Sequence, residues 1–360
     1  MTKDLFFVNS SQGWGGGEKW HLSAARALGE DYKVCVIGAP NSELSTRALS
    51  EGLAVQPLAV SNLSFLNPLK LFRLYRLFKR AEAPAVILNL PSDVKLAGVA
   101  ARLAGVRKVV YRRGMPKPLK NTFLNRFLFS KVVTDVIVNS NEIGRSLVRK
   151  NKDLVDAHKI HLVYNGVDIA DYSEFTPAVL PGGSDRCLKI GTAGRMVEQK
   201  NQMILIEMMG RLKAQGYCVK LYVAGDGPLK PQISAFIAEK GLQEDVILLG
   251  FLKDSREMLS AIDIFAFPSH YEGSANAIVE AMAMELPVVA FNVSSMPEMV
   301  VDGETGFLAR YNDVDDFTRK VSALLDDETL RLKMGRSGKA RATTFFSASG
   351  NMDLVRHIVS

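Results

Sequence analysis

The amino-acid sequence predicts an α/β protein of two Rossmann-like parallel-sheet domains, and three observations lead to the paired sheets. Short apolar runs alternate with longer helix-patterned segments, the alternation stops and then restarts, and a stretch rich in proline and glycine separates the two series. At 360 residues the chain also exceeds what one ordinary core organises.

The first series comprises residues 5–8, 34–37, 86–88, 109–111 and 136–138. These runs are apolar at nearly every position instead of alternating, as strands covered on both faces are. The second comprises 188–193, 219–224, 246–249, 264–267 and 287–291. Residues 171–186, with Pro177, Pro181, Gly182 and Gly183, read as an exposed linker. The expected domains are therefore 1–170 and 187–340, with 341–360 a helix returning to the first. Each series opens with a strand, a turn and a helix, at 9–20 and 192–202. Ligands bind at such strand ends in open α/β sheets, so the cleft between the domains is the expected active site.

Hydrophobic residues at 47% and charged residues at 23%, with no low-complexity tract, describe a soluble folded protein. Cys35, Cys187 and Cys218 are far apart, suggest neither a metal site nor a disulfide framework, and fit a reducing cytoplasm. The apolar run 5–8 is too short for a secretory signal, and no stretch approaches the roughly 20 apolar residues that cross a bilayer. A cytoplasmic protein, at most peripheral on the inner face of the membrane, is expected. The net charge of +7 suits anionic partners, but no nucleic-acid-binding motif accompanies it.

The most informative stretch is 268–282, which follows a strand and becomes helical until Pro287. Gly273 and Ser274 can start that helix, leaving the N–H groups of Ala275, Asn276 and Ala277 to face an anion. Glu280, about 9 Å further along at 1.5 Å per residue, can reach a ribose. The plainer alternative makes Glu272 a helix cap and Glu280 a solvated side chain. Earlier, Arg195 and Lys200 follow the first strand of the second series, a fitting clamp for a departing diphosphate or an ordinary charged loop. Gly225-Asp226-Gly227-Pro228 and Asn165-Gly166-Val167-Asp168 read as turns. The loop Gly13-Trp14-Gly15-Gly16-Gly17-Glu18 lacks G-x-G-x-x-G spacing, which argues against a dehydrogenase. Asp313-Val314-Asp315 spells a D-x-D metal pattern but precedes a helix, so capping explains it better and no metal is expected.

In order and spacing these pieces resemble the retaining glycosyltransferases of family 4, over nearly the whole chain. The match includes the glycine loop, the 165–168 turn, Arg195 with Lys200, Gly225 to Pro228, the Glu272/Glu280 pair, Pro287-Val288-Val289-Ala290 and residues 302–308 (DGETGFL). The resemblance implies the GT-B fold, retention of anomeric configuration and a nucleotide-sugar donor without any cofactor. It implies that Arg195 and Lys200 bind the diphosphate, Glu280 the ribose and Glu272 the donor sugar. The base would lie near Phe251 and Leu252, and the loop of Gly15, Gly16 and Gly17 would reach the diphosphate and transferred sugar. Where the family often has a histidine after the fourth or fifth strand, this chain has Arg112 and Arg113, which either hold an anionic acceptor or donor phosphate or serve as surface charge.

Segments 66–80 and 117–131 combine leucine and phenylalanine with lysine and arginine, as basic amphipathic helices do. They either pack their apolar stripe on the sheet or lie on an anionic membrane surface. The expected activity is transfer of a hexose-type sugar from UDP- or GDP-sugar to a glycan or lipid-linked acceptor in cell-envelope polysaccharide or lipopolysaccharide synthesis. A nucleotide-sugar epimerase or hydrolase, or a non-catalytic sugar-nucleotide-binding protein, are the alternatives on the same fold.

Overall fold

A computed structural model describes residues 3–115, 119–149, 154–172, 175, 178–182 and 187–360. Pro177 and Gly183 of the expected linker, and Lys117 of the second basic segment, lie outside the described residues.

The chain divides into two units, Met1–Asn165 with Ser349–Ser360, and Gly166–Ala348. The first holds a parallel sheet of β1 (Asp4–Asn9), β2 (Lys33–Gly38), β3 (Ala54–Pro57), β4 (Ala85–Leu88), β5 (Lys108–Arg113), β6 (Asp135–Val138) and β7 (Ile160–Leu162). Its spatial order is β3-β2-β1-β4-β5-β6-β7. The second holds β8 (Leu188–Ala193), β9 (Val219–Ala224), β10 (Val246–Gly250), β11 (Ile264–Phe267), β12 (Val288–Phe291) and β13 (Gly306–Ala309), in the order β10-β9-β8-β11-β12-β13. All paired strands in both sheets are parallel.

Both faces of each sheet are covered, which explains the unbroken apolar runs. In β1, Phe6 and Val8 join one core cluster while Leu5 and Phe7 join the other, the two-residue alternation of a strand buried on both sides. The second of these clusters includes Met352, Val355, Ile358 and Val359 from the final helix, Ala348–Val359. Arg356 of that helix pairs with Asp31 at 2.8 Å. The helix before it, Glu328–Phe345, runs unbroken, and Arg341 donates to the Glu298 and Met299 carbonyls. Residues 341–348 therefore group with the second unit, and the return to the first begins at Ser349. The described residues of the expected linker 171–186 also fall within the second unit.

The expectation of unpaired cysteines is corrected at one place: Cys187 and Cys218 form a disulfide, leaving Cys35 free. They precede adjacent parallel strands, so pairing β8 with β9 brings their Cα atoms to 4.8 Å despite a sequence separation of 31. No helix among the described residues is long and apolar enough to cross a membrane.

The basic segment 66–80 becomes a short 3-10 turn, Ser64–Leu66, then the helix Pro68–Arg80, capped by Asn67 and started by Pro68. It packs Leu74 and Phe78 on the sheet but leaves Leu66, Leu69 and Phe72 exposed. In the second segment Leu128 and Phe129 are buried while Phe123 and Phe127 are exposed. Each segment thus packs part of its apolar surface and presents the rest to solvent.

Candidate active site

In the second unit the site forms where β8, β9 and β11 end. The Gly194–Met196 backbone lies directly against the turn after β9: Met196 donates its N–H to the Asp226 carbonyl at 2.9 Å. Gly225 has φ +134°, and a Cβ there would strike the Gly194 carbonyl oxygen. A Cβ on Gly227 would strike the Met196 backbone. These glycines are required by two loops meeting backbone to backbone, a stronger reason than a turn alone. Asp226 faces outward to Lys230 at 3.1 Å.

That packing aims the β8 loop's cations. Asn201, at φ 51°, ends a 3-10 turn over Glu198–Lys200. Lys200 sends its ammonium to Glu272 Oε1 at 2.6 Å and sits over the Phe267 ring at 4.8 Å. The Lys200 and Glu272 side chains are 20% and 10% exposed. Arg195 is exposed and forms no ion pair with another described residue. The site therefore carries one neutralised cation and one uncompensated cation on neighbouring turns.

Glu272 is not a helix cap. Its backbone is clamped by Ser294, whose hydroxyl donates to the Glu272 carbonyl at 2.8 Å, and its carboxylate is turned to Lys200. The following helix starts later than expected, at Asn276, so Gly273 and Ser274 precede it and Ala275 holds the cap position. The expectation of a free Asn276 N–H is also corrected, because it donates to the Ser274 carbonyl at 3.1 Å. Ala275 sits at φ −85° and ψ 78°, which folds 273–275 into a turn that closes on itself before helical geometry begins.

Glu280 lies on the helix Asn276–Ala283 and is held from the side: Ser255 Oγ donates to its Oε2 at 2.9 Å. Tyr172 lies close enough that the Glu280 charge, after burial, raises the phenol further. Phe251 and Leu252 follow β10, whose register shift and left-handed Gly250 at φ 71° turn the chain outward and leave Phe251 77% exposed. Asp313 of the D-x-D sequence caps the helix Val314–Asp326 by accepting from Asp316 N–H at 2.9 Å, and Asp315 pairs with Arg211.

The first unit gathers its own polar group at the ends of β1, β4 and β5. Gly15 occupies the cap position of the helix Gly16–Leu28. A Cβ on Gly17 would come within 3.1 Å of Asn89 Nδ2 and 3.3 Å of Arg112 Nη1, so glycine lets this helix approach both. Glu18 is buried and accepts from Asn9 at 3.5 Å and Asn89 at 3.4 Å. Arg112 is buried, donates to Asn165 Oδ1 at 3.1 Å and lies over the Trp20 ring. Burial brings its guanidinium down to about 10, opposed by the Glu18 charge. Arg113, also buried, donates to the Tyr111 hydroxyl at 3.2 Å. Neither arginine is surface charge.

Sequence reasoning missed Asn9, Asn89, Ser255 and Ser294 as site members and treated Glu18 only as part of the loop. Asn9 and Asn89 each follow an apolar strand run directly, which is a readable sign of a strand-end polar residue. Ser255 and Ser294 carry no such sign, since their partners lie 25 and 22 residues away.

Two parallel-sheet α/β units with this loop geometry are the GT-B fold. The crystal structure of Anabaena HepE in complex with UDP and glucose superposes with a TM-score of 0.82 at 21% identity, covering 99% of this chain and 98% of that one. The lipopolysaccharide outer core galactosyltransferase WaaB, in its apo form, superposes with a TM-score of 0.75 at 18% identity, covering 99% and 100%. The family described as Glycosyltransferase Family 4 matches residues 14–171, and that described as Glycosyl transferases group 1 matches 185–341. The chain belongs to glycosyltransferase family 4. An Escherichia coli UDP-Gal:alpha-D-GlcNAc-diphosphoundecaprenol alpha-1,3-galactosyltransferase is 27% identical over 84% of this chain and 82% of its own length. The Staphylococcus aureus capsular polysaccharide biosynthesis glycosyltransferase CapM is 33% identical over 44% of this chain, which spans 42% of that relative's length.

Proposed function

We propose that this chain is a retaining, metal-independent hexosyltransferase that uses a UDP- or GDP-sugar to extend a glycan or lipid-linked acceptor of the cell envelope, working peripherally at the inner face of the membrane. The observation that carries the proposal is the Lys200–Glu272 ion pair beside the uncompensated Arg195. A bound diphosphate can draw Lys200 from Glu272, since two phosphates with Arg195 alongside offer the ammonium a stronger partner than one carboxylate. Glu272, released, accepts hydrogen bonds from hydroxyls of the donor sugar. Glu280, oriented by Ser255, accepts from the ribose, and the base lies along Phe251 and Leu252. In the first unit, Gly15, Gly16 and Gly17 are assigned to the donor, and Arg112 and Arg113 to an anionic group of the acceptor or donor.

In the reaction the bond from the anomeric carbon to the diphosphate oxygen breaks, and a bond to the acceptor hydroxyl oxygen forms on the same face. The acceptor's proton passes to the departing diphosphate oxygen, so no side-chain base is assigned. Arg195 and Lys200 stabilise the negative charge that grows on that oxygen. The similarity to the E. coli enzyme, whose name specifies a UDP-Gal donor and a diphosphoundecaprenol-linked acceptor, supports this donor and acceptor class.

The test is acceptor-dependent release of UDP or GDP in the presence of EDTA, with the anomeric configuration of the product read by NMR. Release without an acceptor would indicate a hydrolase, an inverted product would remove the retaining assignment, and activity only on adding a divalent ion would remove metal independence. Donor binding without turnover on any envelope acceptor would indicate a binding protein.

A further inference from the structure

The helix Pro68–Arg80 covers only part of its sheet face. It seats Phe78 against Phe6, with ring centroids 5.1 Å apart, but beside it the edge strand β3 and its neighbour β2 stay partly open. A groove of about 710 Å³ results, floored by Cys35, Ala54 and Gln56 and walled by Leu69 and Phe72 of the helix. From Leu69 to Arg80 the wall is about 17 Å long at 1.5 Å per residue. Leu69 is 78% and Phe72 55% exposed, so the wall is an apolar surface left in water.

Arg73, Arg76 and Arg80 also line this groove, at a spacing that places them on one helix stripe. None forms an ion pair or hydrogen bond with another described residue, although Arg76 rests over the Phe72 ring at 5.7 Å. Asp4 and Lys33 stand together among the lining residues and offset each other in charge. An apolar trough with three unpaired guanidiniums complements a molecule with a hydrocarbon tail and a phosphate head. A sugar nucleotide has no tail to fill the trough, and a nucleic acid would leave it wet.

We propose that this groove seats one anionic phospholipid of the membrane, its phosphate held by Arg73, Arg76 and Arg80 and its acyl chain laid along Cys35, Gln56 and Phe72. The lipid is a tether and not the acceptor, because the groove runs toward Asp4, Lys33 and Ala54, the first residues of their strands, whereas the polar cluster of the first unit stands where the strands end. The proposal rests on the peripheral-membrane part of the function proposed above.

Cys35 supplies a built-in reporter, since the other two cysteines are bonded to each other. Burial pushes its thiol up to about 11, so alkylation is followed in alkaline buffer. Short-chain dihexanoyl phosphatidylglycerol, kept below its micelle concentration, is compared with dihexanoyl phosphatidylcholine. The expected result is one anionic lipid per chain and slowed Cys35 alkylation, with no slowing by the zwitterionic lipid. Arg73→Glu with Arg80→Glu should weaken binding by about tenfold or more through lost charge-assisted contacts. Gln56→Trp fills the trough while keeping the arginines, and should abolish binding of the monomeric lipid. Flotation with phosphatidylglycerol vesicles separates the two layers of the argument. A protein that does not float with them loses the membrane reading and the tether with it. A protein that floats, but whose Cys35 is unprotected by monomeric lipid and whose Gln56→Trp variant floats equally well, overturns the groove alone. Equal protection by the zwitterionic lipid overturns the assignment of the arginines.

Discussion

Substituting Lys200 separates a phosphate clamp from a structural tie. Its ammonium lies 2.6 Å from Glu272, and the two side chains are 20% and 10% exposed. Lys200→Ala strands the Glu272 carboxylate without its cation. Removing one partner of a fully buried pair costs about 3–5 kcal/mol, and the residual solvent access here brings that to about 2–3 kcal/mol. At about 2–4 °C per kcal/mol for a unit of this size, the melting transition should fall by roughly 5–10 °C. Adding Glu272→Gln removes the stranded charge, so the double variant should recover most of the lost stability. Turnover should not recover: without the lysine the diphosphate loses about 2.7 kcal/mol of transition-state stabilisation, a factor of about 10² or more. Calorimetric UDP affinity should fall in Lys200→Ala, stay low in the double variant, and change little in Glu272→Gln alone. A double variant that regains stability, UDP affinity and turnover together would refute the clamp and leave Lys200 a structural residue.

Ser255→Ala should raise the donor KM about tenfold, equal to about 1.4 kcal/mol, and leave kcat nearly unchanged, because Ser255 orients Glu280 without meeting the sugar; a fall in kcat alone would contradict that role. Gly225→Ala forces a side chain onto the Gly194 carbonyl at φ +134° and should cost about 2–4 kcal/mol in chemical denaturation, whereas a Cβ on Gly16 has nothing within 4 Å and Gly16→Ala should be tolerated. Burial pushes the Asp93 carboxyl up to about 6, against hydrogen bonds from Ser10 and Leu90. Because the native chain then binds that proton more tightly than the unfolded chain, the contribution of Asp93 to stability improves as pH falls from about 6 toward about 4 and is unfavourable at neutral pH. Melting of the native chain relative to Asp93→Asn should accordingly shift in favour of the native chain between neutral and mildly acidic buffer, and an unchanged difference would remove the assignment.

The central strands of both sheets were legible because covered parallel strands need apolar side chains on both faces, and 5–8 and 264–267 show this without ambiguity. The short outer strands were not. β3 (AVQP), β7 (IHL) and β13 (GFLA) are each only partly buried, so they carry too little apolar signal to stand out from loops. At the site, glycines and charges at strand ends and on the helix that follows β11 were readable by type, including Arg195, Lys200, Glu272 and Glu280. Their mutual arrangement was not, because the Lys200–Glu272 contact spans 72 residues and depends on how β8 and β11 pair. Helix periodicity placed the segment after Gly273 correctly as a helix but misplaced its start, since the Ser274–Asn276 turn uses local hydrogen bonds that no periodic pattern registers. The Cys187–Cys218 bond was illegible for the same reason as the ion pair: strand pairing, not spacing, brings the two together.

The final helix has a consequence for how the protein is made. Leu5, Phe7, Val36, Ile87 and Val110 share a core with Met352, Val355, Ile358 and Val359. On the ribosome the first unit emerges early, yet the part of that sheet face not covered by Trp20, Leu22 and Leu28 stays open until residues 352–359 leave the exit tunnel. The intervening unit, whose core needs none of those residues, can complete itself first. The order of synthesis and the order of completion are therefore reversed. During that interval a nascent chain holds part of an apolar sheet face in waiting, and a chaperone that shields it would act on the half of the protein that was translated first.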